Sequence, residues 1–198
     1  MLDRKIFLVL SALLFFFINL SIFSQTEEIS IKAVRCEIPP KIDGVPSEAT
    51  WNNADPFTNF RMVEPTPGAQ PTERTKLLII YDEGSLYIGV YCYDSEPKKI
   101  AANSLAHDQA GSSRGMWGMG RPTTSTSDDV VRILIDPFLD KRTAYVFYVN
   151  ARGARSEGLV SGGDASLNWD GIWEAKSRIL DDGFRHQFTQ WGRHGFQN

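Results

Sequence analysis

The clearest pattern in the chain is an alternation of apolar and polar side chains with a period of two, which is the period of a β-strand. Residues 86–93 place aliphatic side chains on one face and three tyrosines with a glycine on the other. Residues 172–180 alternate in a similar way. Residues 75–81 instead carry a continuous apolar run, which predicts a strand that is buried on both faces. These three segments predict a protein built on β-sheets.

Shorter segments between turn residues complete this picture. Further strands are predicted at residues 29–36, 129–135, 144–150 and 154–160, and loops at residues 64–71, 106–127 and 161–168. Residues 46–51 begin with Pro and carry Glu48, which is typical of one or two helical turns. Many short strands at close spacing with one short N-terminal helix predict an all-β fold, an antiparallel β-sandwich of the jelly-roll type.

The first residues have the layout of a secretory signal peptide. Arg4 and Lys5 precede an almost wholly apolar run over residues 6–23, and the small Ser24 marks the expected cleavage site. An uncleaved membrane anchor is the alternative, because the run is close to the roughly 18 residues that can span a bilayer. We therefore expect an exported protein of the periplasm, the outer membrane or the extracellular space, whose mature domain begins at residue 25.

Composition and charge narrow the class of partner. The chain is 42% hydrophobic and 12% aromatic, which supplies enough apolar surface for a folded core. Its formal net charge is -3, and it has no basic patch. Because nucleic-acid binding proteins carry clustered positive charge, this charge pattern argues against a nucleic-acid partner.

The two cysteines, Cys36 and Cys92, both lie in predicted strands. Export would permit a disulfide between them, and only one pairing is possible. The alternative is a pair of buried thiols. Their spacing is not that of a metal site.

Several short motifs follow one another in a recognisable order. They are Ile42-Asp43-Gly44, Glu48, Trp51, Glu73-Arg74-Thr75, Tyr81-Asp82, Leu86-Tyr87-Ile88-Gly89, Asp128-Asp129, Asp136-Pro137, the run 145–150, Gly153, Glu157-Gly158-Leu159 and the run 168–175. In this order they resemble the family 9 carbohydrate-binding modules and their relatives. The resemblance covers roughly residues 31–184, which is most of the expected mature chain.

The resemblance implies a two-sheet β-sandwich that binds an oligo- or polysaccharide without catalysis, often with bound calcium. The chain is most similar to the form found at the N-terminus of larger bacterial outer-membrane proteins, where such a module precedes a β-barrel. A covalent link to a downstream barrel is therefore expected in a full-length form. On this basis residues 1–24 are the signal peptide and residues 25–184 are the sandwich.

Residues 185–198 depart from the family pattern. The family continues past residue 184 with another alternating apolar strand, whereas this tail has no Val, Ile or Leu. We interpret the tail as the product of a truncated or frameshifted reading frame, which would remove the last strand and leave an exposed sheet edge. Translation of the downstream DNA in the other frames tests this hypothesis.

A carbohydrate site needs flat aromatic faces for the sugar ring and polar groups for its hydroxyls. Trp169 lies at a loop end between Asn168 and Asp170, which places an aromatic ring beside two groups that bind hydroxyls. Trp117 lies in the long loop of residues 106–127. These four residues are therefore candidate carbohydrate-binding residues.

Arg152 and Glu157 flank the Gly-rich segment that leads to Trp169, and they are the remaining candidates for binding hydroxyls. A solvated surface pair is the alternative for these two charges. Trp51 lies on the short predicted helix among apolar neighbours, and Trp173 alternates with Ala175 and Ile179 on a strand face. We expect both tryptophans to pack in the core.

Calcium prefers six to eight oxygen ligands, so carboxylates near loops are the candidates for a metal site. Asp128, Asp129 and Asp136 are such carboxylates, and Asp164 lies in another loop. They do not follow the spacing of an EF-hand, and turn capping is the alternative role.

No catalytic residue stands out. The sequence has no Gly-x-Ser-x-Gly motif, and no pair of carboxylates suggests a glycosidase. Three functions remain: a carbohydrate-binding module, the soluble structural head of an outer-membrane barrel protein, and a fragment of a glycoside hydrolase. A glycan-binding assay separates the first two, and the neighbouring DNA tests the third.

Overall fold

The computed structural model describes residues 29–103, 105, 128–162, 164–166 and 169–191. Its strands are β1 (Val34–Arg35), β2 (Thr75–Tyr81), β3 (Ser85–Tyr93), β4 (Val130–Ile135), β5 (Thr143–Asn150), β6 (Arg155–Ser161), β7 (Asp164–Ser166), β8 (Trp173–Leu180) and β9 (Gly183–Trp191). Short 3-10 helices span Ala49–Asn53 and Pro97–Lys99. No helix within these residues is long and apolar enough to cross a membrane.

The strands form two sheets. Sheet A has the order β1-β2-β3-β9-β8, and sheet B has the order β4-β5-β6-β7. Every pairing between these strands is antiparallel except that of β1 with β2, which is parallel. The expected all-β sandwich is confirmed, and the predicted N-terminal helix is the 3-10 turn Ala49–Asn53.

The interior of the sandwich lies between the two sheets. Phe147 of β5 and Phe188 of β9 are almost completely buried there, at 0% and 1% exposure. Trp173 and Ala175 of β8 join the same cluster, as the alternation in residues 172–180 predicts. Apolar residues on one face of each sheet thus build one shared core, whose burial stabilises the fold.

The outer face of sheet A is covered by a segment from the N-terminal part of the chain. Trp51 is 2% exposed and packs there against Leu78, Ile80 and Tyr87. Leu77 and Ile79 of β2 point to the opposite face and pack against the core between the sheets. The apolar run of residues 75–81 is therefore buried on both faces, as predicted.

The last strand corrects the sequence analysis. The boundary predicted at residue 184 falls inside β9, which pairs with β3 on one side and β8 on the other. Phe184 and Phe188 supply the apolar contacts of this strand, and polar residues occupy positions between them. Gln187 is 0% exposed, and its Oε1 accepts hydrogen bonds from the backbone N–H groups of Asp43 and Gly44, both at 2.7 Å. Such a strand lacks the apolar alternation on which the prediction relied.

The first strand is also shorter than predicted, because β1 covers two residues of the segment 29–36. Cys36 follows β1 and packs on the outer face of sheet A, whereas Cys92 of β3 faces the core. The two thiols therefore lie on opposite faces of one sheet, and both are free. Of the two alternatives, the structure supports a pair of unlinked thiols.

We expect both thiols to be unreactive until the protein unfolds. Burial raises the pKa of Cys36, and it raises the pKa of Cys92 to about 12. Because the thiolate is the reactive form, a disulfide-exchange reagent at pH 8 should modify Cys92 very slowly in the folded protein. In denaturant without reductant, the same titration should count two thiols per chain. A sample reduced beforehand is the control, and a count near zero without reduction would contradict the structure.

Candidate functional site

An open hollow of about 440 Å³ lies between β6 and the edge strand β8. It is lined by Gly153, Arg155, Ile172, Trp173, Glu174, Ala175 and Lys176. Ile172 is exposed and Trp173 is buried, so the hollow has apolar surface at its rim and in its wall. Its volume lies within the range of small-molecule sites.

An aromatic cluster adjoins Trp173 on the interior side. The ring of Phe147 lies 5.0 Å from that of Trp173 and 5.9 Å from that of Trp169, edge to face in both cases. The ring of Trp169 also lies 4.6 Å from that of Tyr145. Phe147 thus contacts both tryptophans, which places Trp169 and Trp173 in one cluster at this side of the sandwich.

The half-buried Trp169 is held close to its own backbone. A Cβ atom on Gly171 would lie 2.4 Å from the Trp169 ring, a distance that no real Cβ contact shows. The glycine at position 171 is therefore what lets the indole fold back across the chain. The same ring leans on Tyr145 and Phe147, so its position is fixed from two sides.

The polar groups around the hollow are mainly hydrogen-bond donors. The Arg155 guanidinium lies 5.2 Å from the Trp173 ring, and one of its nitrogens donates to the Trp173 carbonyl at 3.1 Å. The indole Nε1 of Trp173 is buried and has no hydrogen-bond partner among the residues that the structure describes. Glu174 and Lys176 add one charge of each sign at 3.9 Å from each other. This arrangement can receive a ligand that brings acceptor oxygens.

The structure brings together part of the predicted carbohydrate site. Trp169 and Glu157 both lie beside Phe147, since Glu157 pairs with Phe147 in the register of β5 and β6. Glu157 is 4% exposed and faces the interior, so the alternative of a solvated surface residue does not hold for it. Asp170 is exposed next to Trp169. Asn168 and Trp117 lie outside the described residues.

Arg152 lies in a turn. Asn150 Oδ1 accepts hydrogen bonds from the backbone N–H groups of Arg152 and Ala154, and Gly153 has a positive φ of 87°. The exposed Arg152 does not line the hollow, whereas Arg155 does. The sequence analysis missed Arg155, although the turn residues Asn150 and Gly153 could have indicated that the next strand begins after them.

The three carboxylates proposed for calcium do not converge. Asp128 and Asp129 precede β4 and Asp136 follows it, so they lie at opposite ends of a strand. The Asp136 carboxylate accepts hydrogen bonds from the backbone N–H groups of Phe138 and Lys141, at 3.1 and 2.8 Å, which is the turn-capping role. The described residues contain no group of three potential metal ligands. These aspartates do not fit one shared calcium site.

A second set of charged and aromatic groups lies on the outer face of sheet A. Lys76 Nζ lies 3.6 Å from the centre of the Tyr91 ring, and the Arg185 guanidinium lies 4.9 Å from the same ring. Burial, followed by the charge of Arg185, lowers the pKa of Lys76. Asp182 forms an ion pair with Arg185 at 2.6 Å. Cations cover the tyrosine here, so its ring is not open to a sugar.

The strand order and pairing define a mainly antiparallel β-sandwich domain with an open hollow beside its edge strand. No protein-family model matches the chain, and no curated protein matches its sequence. Among solved structures, it is similar to a family 9 carbohydrate-binding module from Caldicellulosiruptor kristjanssonii, determined with glucose and with cellotriose. The TM-scores are 0.52 and 0.51 at 18% identity, with 84% of this chain and 72% and 71% of those chains covered.

A third structure, of a candidate carbohydrate-binding protein from Bacteroides uniformis, has a TM-score of 0.55 at 15% identity. The match covers 86% of this chain and 75% of that one. The chain therefore has the family 9 carbohydrate-binding module fold, as the motif resemblance implied. At these identities the comparisons establish the fold.

Proposed function

We propose that this domain binds carbohydrate without catalysis, in the hollow between β6 and β8. The observation that carries the proposal is the composition of that hollow. Apolar surface of Ile172 and Trp173 adjoins donors on Arg155 and Lys176 and the acceptor Glu174. A pyranose has apolar C–H faces and a rim of hydroxyls, so it needs both kinds of surface. The fold shared with modules bound to glucose and cellotriose supports the proposal.

Trp169 is the aromatic residue proposed to contact the sugar beside the hollow; it is not one of the lining residues, but Phe147 links its ring to that of Trp173. Its ring is half-buried against Tyr145 and Phe147, so part of its surface remains accessible. The exposed carboxylate of Asp170 is next to it in the chain and can accept from a sugar hydroxyl. In this proposal the cluster holds Trp169 rigid before the sugar arrives, which reduces the entropy lost on binding.

Replacement of Trp169 by alanine should weaken sugar binding about fivefold or more, because loss of an aromatic contact costs on the order of 1 kcal/mol or more. Calorimetric titration with glucose and with cellotriose measures the change. Tyr81→Ala is the matched control, since Tyr81 is an exposed aromatic residue at the end of β2, away from the hollow. An equal loss in both variants would argue against a specific role for Trp169.

A second variant moves the Trp169 ring without removing it. Gly171→Ala keeps Trp169 but introduces a Cβ where the indole now lies, which forces the ring to move. In this variant sugar binding should fall while the tryptophan remains. Unchanged affinity would contradict the proposal that the folded-back position of the ring matters.

The absence of catalysis belongs to this proposal, and its support is that two of the solved neighbours are named as binding modules. Export through residues 1–24 also remains a proposal, with support from the sequence pattern alone. Attachment to a larger outer-membrane protein, a role in polysaccharide catabolism and bound calcium are proposals that the family resemblance supports, and a calcium ion would not be held by Asp128, Asp129 and Asp136 together. If a folded sample bound no sugar at millimolar concentration, the structural-head alternative would be favoured instead.

A further inference from the structure

We propose that the hollow between β6 and β8 selects a sugar that carries a carboxylate, such as a hexuronic acid, through the guanidinium of Arg155. This inference rests on the proposed function and specifies the class of sugar.

Arg155 is a half-buried cation. It contacts the Trp173 ring and the Trp173 carbonyl, and no acidic group forms an ion pair with it among the residues that the structure describes. One nitrogen is used in the carbonyl bond, so the remaining donors of the planar fork stay available. A partly buried guanidinium is a strong and geometrically specific partner for a carboxylate.

Trp173 adds apolar surface to the same wall and no second open donor. It is 7% exposed and lines the hollow, and its indole Nε1, which has no partner in the described part of the chain, is itself buried. Beside Trp173, the donors that a ligand oxygen can reach are therefore those of Arg155, and they favour a ligand rich in acceptors.

The charge around these donors favours an anion. Lys176 and Glu174 offset each other as a loose pair at 3.9 Å, which leaves the positive charge of Arg155 uncompensated by the other lining residues. Ile172 and Ala175 add apolar surface to the same wall, and a simple inorganic anion would leave that surface uncovered. A sugar ring bearing one carboxylate covers the apolar surface and meets the donors together.

The test compares glucuronic acid with its methyl ester, which has the same ring but no charge, by calorimetric titration of the whole chain at low salt and pH 7. We expect the acid to bind about tenfold tighter than the ester, as for a hydrogen bond to a charged group, and the difference to shrink as salt rises. Arg155→Gln should remove the difference between acid and ester, and it should also weaken ester binding, because Arg155 is one of the donors of the hollow. Arg61→Gln is the matched control, because Arg61 is an exposed arginine that likewise donates to one backbone carbonyl.

Several outcomes would overturn the inference. Equal affinity for the acid and the ester, or binding of glucose with no binding of the acid, would leave the proposed function intact and refute the selection of a carboxylate. Acetate binding as tightly as glucuronic acid would show a site for small anions without sugar selectivity. If Arg155→Gln did not fold, the acid-to-ester ratio of the wild type would still decide. Failure of glucose, cellotriose and both uronides to bind would overturn the proposed function, and this inference with it.

Discussion

Replacement of Phe147 by alanine is expected to destabilise the domain by about 3–5 kcal/mol, the range found for removal of a buried aromatic ring. Phe147 has no exposed surface, and its ring meets those of Trp173, Phe188 and Trp169 at 5.0, 4.9 and 5.9 Å. These neighbours come from residues 169–173 and from β9, two parts of the chain that are separate from β5, so little collapse can fill the space left behind. Domains of this size have total stabilities of about 5–15 kcal/mol, and the variant should be close to unfolding.

Equilibrium unfolding in urea measures this effect. The midpoint should fall strongly in Phe147→Ala, with a slope that stays near that of the wild type if the native state is still formed. Phe138→Ala is the matched control, because Phe138 is 65% exposed in the connection between β4 and β5. Its stability should change by no more than about 0.5 kcal/mol. Similar losses in the two variants would mean that the interior between the sheets is not the main source of stability.

The parts of the fold that could be predicted are those where the alternation of side chains determines which face is buried. In β3 the aliphatic residues face the core and the tyrosines face outward, so Ile88 and Tyr87 enter different clusters. In β8 the pattern assigns Trp173 to the core in the same way. A shift of one residue in the register of either strand would exchange its buried and exposed faces, so the alternation of side chains is a strong signal.

The parts that could not be predicted depend on distant partners. Gln187 is buried because the backbone of Asp43 and Gly44 reaches its side chain across more than 140 positions of sequence, at 2.7 Å. No local pattern shows such a contact. The candidate site could not be predicted for the same reason. Arg155 lines the hollow because it contacts Trp173, which belongs to the other sheet. The sequence alone does not show which of the two arginines, Arg152 or Arg155, lies in the hollow.

His186 is a titratable residue that lies buried in β9. It is 2% exposed, faces the core side of sheet A, and contacts the Phe184 ring edge to face at 5.0 Å. Its Nδ1 lies in hydrogen-bond contact with the Ser177 hydroxyl, which also donates to the Asn150 carbonyl at 3.1 Å. Its Nε2 has no partner among the described residues. A proton added at Nε2 would therefore place a charged N–H in an apolar setting, and burial lowers the pKa of His186 to about 3.

The domain should consequently lose stability in mild acid through His186. The pKa of an unfolded histidine is about 6.5, so below that pH the unfolded chain takes up a proton that the folded chain refuses. Between pH 6.5 and about 3 the unfolding free energy should therefore fall by roughly 1.4 kcal/mol per pH unit, or about 3 kcal/mol by pH 4.5; above pH 6.5 this contribution to stability is fully present.

His186→Asn retains a polar group near Nδ1 but cannot take up the proton, and the carboxylates common to both proteins cancel in the comparison. Urea unfolding of both proteins at pH 7.5 and pH 4.5 measures the difference. Parallel pH profiles for the wild type and His186→Asn would show that this histidine is not buried in its neutral form.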